Sequence, residues 1–545
     1  MYKKLLKFKF TIIYFTLSIL LFFLVKVIEF GQIYSIMRYF LTALLFFIFI
    51  PILLYQIFKE IKIMYNEKSK EFIFFIIIVL FTILFLFVIN SKDSTVINIE
   101  RLSLSTENVL NIHSIQETTH IDKTSSAVVP AIISNILGIN NRLKINYYLF
   151  RFFSLIIIIL TFLISQKIFK DLFKTSIVII TIFLSIHMRN ILITLDYTIG
   201  AIFFLVTTFY FIVKFEESLN LSNETIKNRY FNLSLISALL ASSYRYEFSL
   251  LLIFPLFIYF DIVDLKNGFN RFNRKKLFLF IFLSLFILSS LLFDIRFLDD
   301  DYMLGESNEN WNILELAKNR IDILTYNYKK GDFNLSENTL SIFYYFNLLF
   351  IPIILSFYLK KKTFFEKKYL LFMLIFIFFY SFMWFTGHTG GTRYSGRYYV
   401  SILIFEIIIA YYIIHKISLD SNIHLKKVIF LLLLIFALFT SDSINFNPKA
   451  QSSQILKDMS TIEFNYSCYN IRKRGGPNYL SIIFGGFKEI FYLKEIKSDN
   501  CYYYIFNTKK ENNEVKEFFF DCKERVIFQR KYYPDVEIKW LKYKC

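Results

Sequence analysis

No cysteine occurs before Cys468: the four in the chain, Cys468, Cys501, Cys522 and Cys545, all lie in its last 78 residues. They lack the close Cys or His pairs of a zinc site. An even set confined to one tail suggests up to two disulfides in an oxidising compartment, in any of three connectivities; four unpaired buried thiols are the other reading. Proline and glycine are scarce, 7 and 14 in 545 residues, and only 19% of residues are charged, less than a soluble protein of this size carries. No Arg-rich tract interleaved with stacking aromatics is present, so the formal charge of +19 does not point to nucleic acid. No A-x-A-like cleavage site follows the apolar run from Phe10 to Phe30, which therefore reads as a retained span rather than a signal peptide. There is no internal repeat, and the apolar segments are largely free of mid-span acids; both absences weigh against a transporter.

What is there is hydrophobic: 56% of the chain is apolar and 20% aromatic. Runs of about 20 apolar residues recur, the length that matches the hydrocarbon core of a bilayer. Spans are expected near 10–29, 39–58, 72–91, 145–165, 175–190, 197–214, 232–243, 247–262, 277–296, 338–358, 369–386, 398–415 and 428–440. These about 13 transmembrane helices make an all-α polytopic membrane protein over residues 1–440. With the amino terminus in the cytoplasm, the cytoplasmic segments hold 27 Lys and Arg and the short outer loops at 30–38, 188–197, 241–247 and 386–397 hold 5. The positive-inside rule supports that orientation. The run 232–262 is long for one helix and short for two. The polar break Ser242-Ser243-Tyr244-Arg245-Tyr246-Glu247 divides it, and reading it as one span would turn the basic loops 263–276 and 359–368 outward.

One outer face then gathers the long loop 92–144, the turn 188–197, the break 241–247, the loop 297–337, the turn 386–397 and the tail. Within 297–337, Trp311, Leu314, Ile321 and Leu324 recur at helical spacing, as in a helix on the membrane surface or one packed on the tail. Residues 441–545 change character: apolar stretches shorten to strand length, as in Cys501–Phe506 and Glu537–Leu541, and a helix is expected at 479–494. The tail reads as a small extracytoplasmic α/β domain.

The order of motifs is informative. The loop 92–144 carries Asp93, Glu100, Glu107, Glu117 and Asp122, with His113 and His120. It ends in Ser125-Ser126-Ala127-Val128-Val129-Pro130, then Leu137-Gly138, then Arg151-Phe152-Phe153-Ser154. The next outer turn holds Arg189 and Asp196, and a late helix opens with Gly396-Arg397-Tyr398-Tyr399. This ordered set resembles the GT-C glycosyltransferases of the family 39 type, which include protein O-mannosyltransferases and aminoarabinose lipid A transferases. The resemblance covers residues 90–262 and, more loosely, 386–415. The family's His-Pro-Pro core is absent here, with Ser125–Pro130 in its place, and two spans precede the usual start.

The resemblance implies a polyprenyl-phosphate-linked sugar as donor, with its lipid tail in the bilayer, and an acceptor outside the cytoplasm. The acceptor hydroxyl or amine needs a base at the membrane boundary, and the departing lipid phosphate needs cations or a metal. Glu100, in the semi-apolar context Ile97-Asn98-Ile99-Glu100, is the candidate base, with Asp93 and Glu107 as rivals and a solvated loop acid as the bland reading. Asp196 is the second candidate acid, or else a helix-end carboxylate. Arg189, Arg245, Arg393 and Arg397 lie in short outer turns where charge bias does not call for them, and their planar forks suit the donor phosphate; interfacial anchoring is the alternative. Glu247, which could pair with Arg245, His120 and His388 in the Gly-rich turn 387–392 would line the substrate cavity. His120 and His113 could hold a divalent metal with nearby acids, although free loop histidines are commoner. The expected protein is thus a multi-pass enzyme of the inner (plasma) membrane, amino terminus cytoplasmic and carboxyl terminus extracytoplasmic. The rival readings are an envelope-polysaccharide polymerase or ligase, and a non-enzymatic transporter of lipid-linked sugar.

Overall fold

A computed structural model of the chain describes residues 31–84, 86, 129–130, 132–133, 136–137, 142–185, 188, 191–192, 198–219, 221, 223–244, 246–255, 347–354, 367–386, 396–417 and 423–440, and strands within the tail at 470–471, 489–490, 502–507, 523–532 and 536–544. The expected spans 10–29 and 277–296 and the surface helix in 297–337 lie outside these residues. Two compact units divide the chain: Met1–Thr82, Leu155–Arg189 and Gly200–Ile444 form one, and Ile83–Ser154, Asn190–Ile199 and Asn445–Cys545 the other.

The first unit is helical. Among the described residues its helices include α1 (Gly31–Glu67), α2 (Ser69–Ile83), the distal part of α3 (Arg142–Phe169), α4 (Leu172–Leu184), α5 (Thr198–Ser218), α6 (Glu224–Tyr244), α7 (Lys368–Thr386), α8 (Gly396–Ile417) and α9 (Ile423–Thr440). Ala43–Glu67, Tyr148–Phe169 and Thr198–Ser218 are long and apolar enough to cross a membrane, and Leu172–Leu184, Lys368–Tyr380 and Lys427–Ala437 are shorter apolar helices. α5 is buried on every side from residue 198 to 215, and α8 from 400 to 413. Around them, α1, α2, α7 and α9 turn large apolar side chains outward, among them Ile48, Phe58, Ile77, Leu80, Phe379 and Leu432. Apolar surface of this extent is stable only against another apolar phase, which is the hydrocarbon of a bilayer.

Many hydroxyls inside these helices cost little because they return their proton to the preceding turn. Thr161 donates to the Ile157 carbonyl at 2.7 Å, Thr207 to Phe203 and Thr208 to Phe204 at 2.7 Å each. Aromatic rings join the helices: Phe209 of α5 meets Phe405 of α8 at 4.4 Å and Phe376 of α7 at 6.0 Å between centroids. Thr181 of α4 and Tyr411 of α8 share a hydrogen bond of 2.9 Å.

Within the run 232–262, residues 232–244 and 246–255 are described. Phe215 meets Phe231 and Phe204 meets Tyr244, so α6 runs antiparallel to α5. A 3₁₀ helix, Tyr246–Leu252, follows, and Phe254 then meets Phe209. The chain has reversed direction after Tyr244, and two helical segments rather than one occupy this stretch.

Other boundaries differ from expectation. The outer loop expected at 30–38 is the first two turns of α1, and the loop expected at 59–71 is helical on both sides of Lys68. No proline or glycine interrupts residues 32–50 to stop the helix, and the charged end of α1 is held by ion pairs to other helices. Pro51 sits within α1 and leaves it a continuous 37-residue helix.

In the second unit, the tail forms β1 (Asn470–Ile471), β2 (Glu489–Ile490), β3 (Tyr502–Asn507), β4 (Lys523–Tyr532) and β5 (Val536–Lys544). They make one sheet of order β2-β1-β3-β5-β4. β1 pairs parallel with β2 and β3, while β5 pairs antiparallel with both β3 and β4. The β4–β5 register places Phe528 opposite Trp540 and shifts between Val526 and Phe528, as at a bulge. β2 falls inside the stretch 479–494 expected to be helical, so Glu489–Ile490 are extended there, and the rest of that stretch lies outside the described residues. Gly485-Gly486 in the sequence weigh against a helix through this stretch, since each glycine in a helix interior costs about 1 kcal/mol relative to alanine.

Candidate functional site

The motif Arg151-Phe152-Phe153-Ser154 lies on the proximal part of α3, within the second unit. Arg151 and Ser154 are three residues apart and so share a helix face. Both reach the same atom. The Arg151 guanidinium donates from Nη1 to the Leu192 carbonyl at 3.0 Å, and the Ser154 hydroxyl lies 2.9 Å from that carbonyl. The hydroxyl also lies 2.9 Å from the Phe150 carbonyl of its own helix, so its single proton is shared between the two. Leu192, helical like Ile191 beside it, lies in the stretch 188–197 that was expected as an outer turn, between Arg189 and Asp196 in the sequence. The surroundings are dry: Phe150, Phe153, Ser154, Ile191 and Leu192 are all buried.

The end of the preceding polar loop has helical backbone at residues 129–130, 132–133 and 136–137. Val129 is buried, whereas Ile136 and Leu137 are exposed. α3 begins at Arg142, so the last residues of the stretch taken as loop 92–144 are already helical.

Of the candidate residues, Arg397 lies in the first turn of α8 and Glu247 in the 3₁₀ helix Tyr246–Leu252. An arginine at a helix amino terminus adds its charge to the positive end of the helix dipole. Glu100, Asp93, Asp196, Arg189, Arg245, Arg393, His120 and His388 lie outside the described residues, as do Cys468, Cys501, Cys522 and Cys545. Among the described residues, no group of three or more His, Cys, Asp or Glu could hold a metal ion.

Two polar features were not drawn from the sequence. Glu406 sits midway along α8 with 1% of its surface exposed, an exception to spans largely free of acids. Its signal was available: one carboxylate in the apolar run Tyr399–Tyr412, where an ionisable group is costly. The second is a charge cluster at one end of the helical unit. Glu60 of α1 pairs with Lys214 of α5 and lies 3.9 Å from Lys167 of α3, which holds Glu217 at 3.0 Å. Beside it, Glu216 accepts from the backbone N–H of Lys368 at 3.1 Å and Tyr369 at 2.8 Å, capping α7 from another helix. These pairings join distant segments, and no local spacing reveals them.

Comparison of the chain with protein-family models, curated proteins and solved structures finds no match.

Proposed function

We propose that this chain is a GT-C-type membrane glycosyltransferase that moves a sugar from a polyprenyl-phosphate donor to an acceptor outside the cytoplasm. One observation supports the reading: Arg151 and Ser154 of a family-like motif both bond the carbonyl of Leu192, which lies in sequence between Arg189 and Asp196, the next members of the ordered set. The apolar helices and their outward apolar faces supply the membrane setting this chemistry needs. In full the reading comprises about 13 spans in the plasma membrane, with a cytoplasmic amino terminus and the tail as an extracytoplasmic α/β domain.

In the proposed reaction Glu100 takes the proton from the acceptor hydroxyl or amine as its oxygen or nitrogen attacks the anomeric carbon. The bond from that carbon to the phosphate oxygen breaks, and polyprenyl phosphate leaves. Arg245 and Arg397, with Arg393 and Arg189, hold the phosphate and take up its growing charge. The test uses purified protein in detergent with a panel of polyprenyl-phosphate sugars and candidate acceptors, followed by mass spectrometry. Release of free polyprenyl phosphate that depends on Glu100 is the expected result. No consumption across the panel by folded protein overturns the reading.

Glu406 favours a second reading, a transporter of lipid-linked sugar, because buried carboxylates within spans mark ion and substrate pathways. Movement of a lipid-linked sugar across proteoliposomes without covalent change, lost in Glu406→Gln, would establish it.

A further inference from the structure

The turn between α3 and α4 holds a lysine where glycine is the usual residue. Lys170 has a φ of 51°, in the left-handed region, and its N–H closes the last turn of α3 on the Gln166 carbonyl at 2.9 Å. A side chain in that conformation crowds its own backbone, and helices commonly end on glycine for this reason. The turn is otherwise firmly built. Asp171 caps α4 by accepting from the Lys174 N–H at 3.1 Å, and the Thr175 hydroxyl donates to the Gln166 side chain at 2.9 Å. A strained residue retained in a rigid turn points to a task for its side chain.

The surroundings indicate the task. Lys170 is exposed, and so is Phe173, three residues on. The Lys427 ammonium of α9 lies 5.8 Å from the centroid of that ring. Residues 166–176 and 423–431 hold five lysines and one acid, Asp171. That acid is engaged twice, as the cap of α4 and as the partner of the Lys174 ammonium at 3.1 Å. Lys167 is held by Glu217 at 3.0 Å, so the excess charge of this corner rests with the other lysines. Next to Lys427 on α9, Val428 and Leu431 turn outward. A cationic rim beside an outward apolar strip has the chemistry of an anionic headgroup with its acyl chains.

We propose that the corner between α4 and α9 binds an anionic phospholipid, with Lys170 and Lys427 on the phosphate and Phe173, Val428 and Leu431 against the acyl chains. The proposal does not rest on the glycosyltransferase reading. Lysine suits this occupant because its ammonium is a point charge on a flexible stem and follows a mobile phosphate without a fixed direction. Each lysine at a membrane surface strengthens attraction to anionic lipid by about fivefold. The left-handed lysine is then a site at which ligand binding is kept in preference to the more relaxed glycine.

The experiment uses the full-length protein purified in detergent. Native mass spectrometry reads the phosphatidylglycerol and phosphatidylcholine retained from an equimolar mixture, and thermal unfolding is followed with each lipid, with inorganic phosphate and with no addition. The parent should retain phosphatidylglycerol in preference and gain more stability from it than from phosphatidylcholine or phosphate. Lys170→Gln and Lys427→Gln should each weaken phosphatidylglycerol binding by about fivefold. Lys62→Gln, at an exposed lysine of α1 outside the corner, should leave binding unchanged. Lys170→Gly has its own signature: without lipid it should unfold at a higher temperature than the parent, because glycine relieves the turn, yet it should lose phosphatidylglycerol as Lys170→Gln does. Equal retention of the two lipids by the parent overturns the proposal. Equal losses in Lys62→Gln and Lys427→Gln overturn the corner as the site. Phosphate that stabilises as well as phosphatidylglycerol overturns the lipid as occupant. A Lys170→Gly protein no more stable than the parent removes the strain argument that singles out Lys170.

Discussion

The ring of Tyr244, where α6 ends, lies directly on Gly200 near the start of α5. A Cβ placed at Gly200 would overlap Cε1 of that ring and stand 2.7 Å from Cδ1. Tyr244 is 1% exposed and packs against Phe204 with ring centroids 5.3 Å apart, so it has little room to retreat. The absence of a side chain at position 200 lets the chain come in close before it reverses.

Gly200→Ala therefore sets two effects against each other. Alanine favours a helix by about 1 kcal/mol over glycine. Overpacking a filled interior costs about 1–3 kcal/mol, and the overlap here is with a ring enclosed on all sides. Packing should win, with a net loss of up to about 2 kcal/mol in detergent unfolding. Tyr244→Leu should relieve the clash, so that Gly200→Ala costs less in that background than in the parent. Equal costs in the two backgrounds would show that the contact does not limit the site.

Glu216 caps α7 from α5 through the N–H groups of Lys368 and Tyr369. Loss of such an acceptor costs about 1 kcal/mol. Glu216→Ala should accordingly raise hydrogen exchange at residues 368–372, and Glu216→Gln, which keeps one carbonyl acceptor, should raise it less. Equal exchange in the two variants would deny the carboxylate its capping role.

Lys214→Ala tests the charge cluster. Removing one partner of a buried pair costs about 3–5 kcal/mol when nothing replaces it. Glu60 retains Lys167 at 3.9 Å and some exposure, so the loss should be smaller, about 1–2 kcal/mol. The double variant Lys167→Ala/Lys214→Ala should exceed the sum of the singles, because only then is Glu60 left without a cation from the cluster. Strict additivity in thermal unfolding would show that the two lysines act independently.

These contacts mark what the sequence could and could not say. Apolar runs such as 148–169 and 198–218 announce membrane helices through length alone, and the break at Ser242–Glu247 announces a reversal because six polar or aromatic residues interrupt an apolar run. The charged end of α1 did not read as helix. Lys59, Glu60 and Lys62 look like a solvated loop until Lys214, 154 residues on from Glu60, is known to meet it. The same limit applies at the candidate site. Arg151 and Ser154 stood out as a motif, but their common target at Leu192 is 41 and 38 residues away, beyond any local pattern. Glu406 is legible in the sequence, although one acid in a long apolar run weighs little in a window average.

Asp171 gives a pH prediction. It stands between α3 and α4 as the N-cap of α4, with its carboxylate 3.1 Å from the Lys174 backbone N–H and paired with the Lys174 ammonium at 3.1 Å. Burial alone would raise its pKa, but these bonds outweigh it and hold the carboxyl below its ordinary value. A lowered folded-state pKa contributes stability that is present above the unfolded value, about 3.9, and is lost as pH falls through the folded value. Asp171→Asn should therefore be less stable than the parent at neutral pH and converge with it in acid. A gap between parent and variant that stays constant down to acid would assign the effect to something other than ionisation.

The catalytic base is the most exacting prediction. A positioned general base contributes about 10²–10⁴-fold to rate, so Glu100→Gln, which keeps size and loses basicity, should reduce transfer by that factor without lowering membrane abundance. The acid limb of the pH–rate profile should disappear with it, because no carboxylate remains to be deprotonated in that role. Asp93→Asn and Glu107→Gln should keep both the rate and the limb. Parent-like turnover by Glu100→Gln would remove Glu100 as base, and whichever of Asp93 or Glu107 then carries the acid limb would take its place.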